Sequence, residues 1–164
     1  MERSEFATLL DEYSGLLSRI AASYEADPSL RDDLLQDMAL ELWRAAPTWR
    51  GDASMKTFVA QVAHNRGASH VVGRRRLPRT EALTAELPDH GHDPEIYAQL
   101  QQQSEHLQSA VRTLPLNLRQ TVTLAFEGFS HQEIAETLDT SVNNVAVRLN
   151  RARKALKTVL GEPA

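Results

Sequence analysis

Apolar residues recur along this chain at three- and four-residue spacing, and the breaks in that rhythm divide it into helices. Phe6, Leu9, Leu10, Tyr13, Leu16, Leu17, Ile20 and Tyr24 form a first stripe. It closes before Asp27-Pro28, where a capping carboxylate precedes a proline at the first helical position. Leu30, Leu34, Leu35, Met38 and Leu42 give the inward face of a second helix that ends near Pro47. Beyond a short segment, Ser54 is placed to cap a third helix reaching about Arg75, with Phe58, Val59, Val62 and Ala63 on its apolar side. From residue 77 to 94 the rhythm is lost among Pro78, Pro88, Gly91 and Pro94, the composition of a linker. Periodicity resumes from Glu95 to Thr113 with Ile96, Leu100, Leu107, Ala110 and Val111 inward; Leu114-Pro115 breaks it, and a supporting helix runs from Leu116 to Phe126. No run reads as a strand. The pattern predicts an all-α fold of two small helical domains, residues 1–76 and 95–164, joined by a flexible linker.

The last third carries a sharper signal. Ser130 followed three residues later by Glu133 is a capping box, and Ile134, Ala135 and Leu138 make a short amphipathic helix after it. A turn falls at Asp139-Thr140. Ser141 can cap a further helix whose Val142, Val145, Leu149, Ala152 and Leu156 share one buried stripe. Asn143, Asn144, Ala146, Val147 and Arg148 are left on the outer flank near its start, where the second helix of a helix-turn-helix meets base edges. Arg151, Arg153, Lys154 and Lys157 follow and suit phosphates. An ordinary antiparallel helix pair with a solvated basic face is the alternative, in which caps, turn and basic end rarely coincide.

A net charge of -4 argues against a nucleic-acid protein only if it is spread evenly, and it is not. Ten acids oppose five arginines up to residue 50, whereas Lys56, Arg66, Arg74, Arg75, Arg76 and Arg79 face Asp52 alone between residues 51 and 80. Residues 81–110 hold six acids and no Lys or Arg, and the C-terminal piece is basic again. Such blocks suit different partners: a polyanion for the basic surfaces, a basic protein surface for the N-terminal acidic one. The acidic, proline-punctuated stretch from Glu81 to Asp93 is expected to be a mobile tether that can fold back on basic surface. With no cysteine, disulfides and thiolate metal sites are excluded. An acidic N-terminus and the lack of any apolar run near about 20 residues disfavour secretion and membrane spanning, so a cytoplasmic protein is expected. The histidines are scattered, His90 and His92 fall in the linker, and neither a glycine-rich phosphate loop nor a nucleophile elbow occurs, so neither an enzyme nor a cofactor is expected.

Residues 33–43, DLLQDMALELW, with PTWRGDASMKTFVAQVAHNRGASHVVGRRR after them, resemble the second conserved region of bacterial RNA polymerase sigma factors of the extracytoplasmic-function class. LPLNLRQTVTLAFEGFSHQEIAETL and SVNNVAVRLNRARKAL resemble the fourth. The resemblance implies a promoter-specificity subunit with RNA polymerase core and promoter DNA as partners, and leaves room for an anti-sigma factor. Residues 1–76 would grip the polymerase clamp and open the minus-ten element; residues 95–164 would read the minus-thirty-five element. The clamp-binding motif maps onto Asp33, Leu34, Leu35, Gln36 and Asp37, although a solvated acidic face fits the same residues. Minus-ten contacts map onto Arg50, Gly51, Asp52, Ala53, Ser54 and Lys56 around a loop, and onto Phe58, His64 and Asn65 on the helix after it. Asn65 is the expected polar contact to a flipped base, Phe58 fits either the base pocket or the core, and Arg74, Arg75 and Arg76 suit phosphates. Trp43 and Trp49 read as packing residues. Minus-thirty-five contacts map onto Ser141, Asn143, Asn144, Val147, Arg148, Arg151, Arg153 and Lys154. The sequence departs from the pattern at Arg66, Gly67 and Ser69 in the third helix, at Ala146 and Val147 in the recognition helix, and at Asp139, where the turn usually has glycine. A stand-alone helix-turn-helix regulator acting as a dimer is the alternative, and it would need no acidic clamp-binding face.

Overall fold

The computed structural model describes residues 1–74 and 94–161, and these hold seven α-helices and no strand. The expected linker and the tail after Gly161 fall outside the described residues, as do His90, His92 and the acidic segment expected as a tether. Helices α1 (Arg3–Tyr24), α2 (Pro28–Ala45) and α3 (Met55–Arg74) pack on one another as a first unit. Helices α4 (Pro94–Arg112), α5 (Leu116–Phe126), α6 (His131–Leu138) and α7 (Val142–Leu160) form a second.

Local chemistry sets most of the boundaries. The Asp27 carboxylate accepts from Ser29 N with Pro28 at the first helical position, and Ser54 Oγ accepts from Thr57 N. A 3₁₀ turn at Ala46–Thr48 closes α2, because Pro47 has no amide hydrogen with which to extend the ladder. Both halves of the Ser130–Glu133 capping box are formed, and the backbone hydrogen bond from Ser130 holds the Glu133 carboxyl below its usual range. Asp139 adopts φ 52° and ψ 56°, the left-handed geometry that ends α6, and Ser141 Oγ accepts from Asn144 N to start α7.

The core of the first unit is Leu16, Leu17, Ile20, Leu34, Met38, Leu42, Val59 and Ala63, all buried. A fully buried aliphatic side chain of this size contributes about 1.5–3 kcal/mol. In the second unit Val145, Leu149, Ala152 and Leu156 form the buried stripe of α7 as its periodicity predicts. Two expectations fail. Val142, the first residue of α7, is 42% exposed. Ile96 and Leu100 are 58% and 61% exposed because only the later part of α4, with Leu107, Ala110 and Val111, lies against α5 and α7.

Candidate nucleic-acid interface

The recognition flank of α7 stands open. Asn143, Asn144, Ala146 and Val147 are exposed, Arg148 is half-buried beside them, and Arg151, Arg153 and Lys154 continue the same helix into solvent. Ser141 is committed to the cap, and Asn144 Nδ2 donates to Thr140 Oγ1 at 3.1 Å, which fixes that amide at the mouth of the turn. Carboxamides before a row of cations, at the N-terminal end of a helix held by a rigid turn, can hydrogen-bond base edges and pair with phosphates.

The acidic helix of the first unit is more divided than its sequence suggests. Asp33 and Gln36 are exposed, Leu35 is half-buried, and Leu34 is fully buried. Leu34 therefore cannot offer its side chain to a partner; helical phase turns it inward with Met38. Asp37 is held across the α2–α3 contact by Arg66, whose Nη2 lies 3.0 Å from Oδ2. One departure from the family pattern thus orients a carboxylate of the expected clamp-binding face.

Around the loop before α3, Arg50, Gly51 and Asp52 are exposed, and Ala53, whose carbonyl accepts from Trp49 Nε1, is half-buried. Trp43 meets Phe6 edge to face with ring centroids 5.0 Å apart, and both tryptophans stay partly exposed. Asn65 faces solvent beside a cleft lined by Glu41, Val62, Arg66 and Ser69, whereas Phe58 leans on the core. His64 corrects the expectation of an outward-facing contact. It shares the buried face of α3 with Ala60 and Ala63, and burial alone pushes its pKa down to about 3. Arg74 ends α3, and Arg75 and Arg76 lie outside the described residues.

Sequence reasoning missed a polar cluster inside the first unit and at its edge. Tyr24 Oη and His64 Nδ1 share a hydrogen bond of 2.6 Å, and Gln120 Nε2 of α5 donates to Tyr24 Oη at 2.9 Å. A methyl group at Gly67 would collide with the Tyr24 ring. The glycine that departs from the family pattern is therefore what lets Tyr24 lie flat on α3. Nearby, His70 Nε2 donates to buried Glu25 at 2.9 Å, and burial followed by the field of Arg66 lowers the histidine pKa. The one available signal was that Gly67 interrupts a helix, which costs about 0.5–1 kcal/mol and so needs a reason.

Comparison with known proteins fits this arrangement. Residues 9–77 match the family model for sigma-70 region 2, and residues 104–156 match that for sigma-70 region 4. The chain is 29% identical to the RNA polymerase sigma-H factor of Pseudomonas aeruginosa, over 97% of this chain and 88% of that protein. It is 26% identical to the ECF RNA polymerase sigma-E factor of Escherichia coli, over 94% of this chain and 86% of the other. Among solved structures, the fold is similar to the sigma factor RpoE in complex with the anti-sigma factor NepR from Bartonella quintana. That likeness has a TM-score of 0.73 and 18% identity, over 96% of this chain and 97% of that one. CnrH in complex with the cytosolic domain of CnrY gives a TM-score of 0.71 and 22% identity, over 98% and 90% of the two chains.

Proposed function

We propose a division of labour within this chain from the premise that it belongs to the sigma-70 family, as a sigma factor of the extracytoplasmic-function class. It is a promoter-specificity subunit that brings bacterial RNA polymerase core to promoters and helps transcription begin. The observation that carries the division is the pairing of two unlike surfaces on one chain: an exposed acidic face on α2 and an exposed carboxamide-and-arginine flank on α7. A stand-alone regulator accounts for the second surface and leaves the first without a use.

In this reading residues 1–76 form the polymerase-binding and minus-ten unit, and residues 95–164 the minus-thirty-five unit, with residues 77–94 between them. Asp33, Gln36 and Asp37 pair with arginines of the clamp, Arg66 holding Asp37 in place. Arg50, Asp52, Lys56 and Asn65 act at the minus-ten strand, with Asn65 offering its amide to an unstacked base. Asn143, Asn144, Val147 and Arg148 meet base edges, while Arg151, Arg153 and Lys154 meet phosphates. The protein does no bond chemistry of its own and needs no cofactor; it supplies binding energy at the right places to an enzyme that does. No helix among the described residues is long and apolar enough to cross a membrane, and we place the protein with the polymerase in the cytoplasm. Where an anti-sigma factor exists, these same two units are what it must hold.

Run-off transcription with purified core polymerase on selected promoter fragments tests the reading: product is expected only when the chain is present. Asp33→Arg with Asp37→Arg should abolish capture of core polymerase in a pull-down. Fold should survive, because a half-exposed ion pair such as Asp37–Arg66 contributes at most about 1 kcal/mol. Undiminished capture would remove α2 as the polymerase-binding face.

A further inference from the structure

Helices α1, α2 and α4 enclose a cleft of about 590 Å³ that lies apart from the faces assigned above to polymerase and promoter. Its wall carries Arg19, Arg31 and Arg112 together with Ser104, Glu105 and Gln108. Arg19 is taken up by a two-bonded pair with Glu127. Arg31 and Arg112, both half-buried, form no salt bridge among the described residues. Each is tied instead to carbonyls at the C-terminal end of α1. Arg31 Nε donates to Glu25 O at 3.0 Å and its Nη2 to Ala26 O at 3.1 Å, while Arg112 Nη1 donates to Ala22 O at 2.8 Å. Carbonyls orient a guanidinium without neutralising it, and these bonds leave most of the N–H donors of both side chains for another acceptor. On the same wall Gln108 Oε1 is buried with no hydrogen-bond partner.

We propose that this cleft binds a small phosphate-bearing ligand of the nucleotide class, with phosphate between Arg31 and Arg112 and a base N–H donating to Gln108 Oε1. Charge fixes the phosphate end. Two like charges held in one cleft repel each other, and burial followed by the fields of Arg31 and Arg119 lowers the Arg112 pKa. A bound anion turns that repulsion into attraction. Guanidiniums suit phosphate because their paired N–H groups match its oxygens, and they lose less hydration than ammonium groups on entering a cleft. Glu105 is exposed, so solvent screens its carboxylate. Size and the amide fix the other end. A lone inorganic ion would leave most of the cleft empty, whereas small-molecule sites run to about 300–1,000 Å³. The buried Gln108 oxygen only accepts, which a phosphate cannot answer and a base amino group can.

Proton–nitrogen correlation NMR of the full chain reads the site directly, because each arginine Nε–H gives its own signal. Guanosine diphosphate, whose base carries amino and imino donors, should move the Arg31 and Arg112 signals along a saturable curve at low salt. It should also raise the thermal midpoint, as any ligand of the folded state does. Inorganic pyrophosphate has no base to answer Gln108 and should need about tenfold more for half-saturation. Arg112→Gln should abolish the response. Ser104→Glu sets a carboxylate on an exposed position of the wall without touching the bonds of either arginine, should weaken the nucleotide about tenfold, and serves if Arg112→Gln fails to fold. Signals that move only on the arginines of α7, or nucleotide affinity unchanged by Ser104→Glu, overturn the site. Equal affinity for pyrophosphate and nucleotide overturns the nucleotide class. A duplex oligonucleotide that moves Arg31 and Arg112 as strongly as the nucleotide makes the cleft a contact for the DNA backbone, and overturns the small ligand.

Discussion

The two units hide and display opposite things. The second keeps the stripe of α7 apolar and presents its chemistry on the surface: caps, a left-handed turn, then carboxamides and arginines facing solvent. The first carries polar chemistry inside, with Tyr24, Glu25, His64 and Asp27 all buried and hydrogen-bonded. The second also buries Arg119, Thr121, Thr123 and Thr137, but these donate to backbone carbonyls and include neither imidazole nor carboxylate. A polar core ties stability to the protonation and fit of particular side chains.

Acid titration should expose the buried polar cluster of the first unit with the largest effect. His64 has its pKa pushed down to about 3, against 6.5 for a free imidazole, so between those values the unfolded chain takes up a proton that the folded chain refuses. Stability is then full above pH 6.5 and falls as pH drops below it. From pH 6.5 to 5, above the ordinary carboxylate range, this amounts to about 2 kcal/mol. His70, also lowered, acts in the same sense. The midpoint of thermal melts should fall between pH 6.5 and 5, and His64→Gln should flatten that slope. A pH-independent midpoint over this window would mean that His64 reaches solvent.

What could be read in the sequence divides along the same line. Helix-turn-helix geometry was legible because each of its signals is local: Ser130 with Glu133, Asp139 in the turn, Ser141 before α7, and apolar residues at helical spacing. The expectation that Asp139 would accept the geometry usually given to glycine is met at φ 52°. His64 was misjudged because its role was carried over from the family's pattern of minus-ten contacts, whereas in this chain it is buried. Its partner Tyr24 lies forty residues away, in another helix. Leu34 was included with a surface motif that its own helical phase buries. Contacts between the units were invisible for the same reason, since Gln120, Glu127 and Arg19 carry no periodic or capping signal.

Gly67 sharpens the comparison at a single position. Gly67→Ala would gain up to about 1 kcal/mol of helix propensity, but the added methyl strikes a Tyr24 ring that is itself buried and cannot retreat. Overpacking of this kind costs about 1–3 kcal/mol, so a net destabilisation of up to about 2 kcal/mol is expected. Gly73→Ala in the same helix meets no atom within 4 Å and should be neutral or stabilising. Paired thermal melts give the answer. A stabilised Gly67→Ala would show that Tyr24 is free to move and that the polar core is looser than its hydrogen bonds suggest.

The smallest expected effect tests whether the displayed and hidden units divide the DNA between them. Arg148 is half-buried on α7, one turn after the exposed carboxamide of Asn144. Arg148→Ala should weaken closed-promoter binding by about 1 kcal/mol, the low end for loss of one base contact, and leave strand opening unchanged once the complex forms. Asn65 is exposed on α3 beside the cleft between α2 and α3, where a base taken out of the stack would find its amide. Asn65→Ala should leave closed binding nearly intact and reduce opening, because unstacking costs a few kcal/mol that only a contact to the flipped base repays. Filter binding measures the first step and permanganate reactivity of unpaired thymines the second. If both variants lose the same step, the two units read the promoter together.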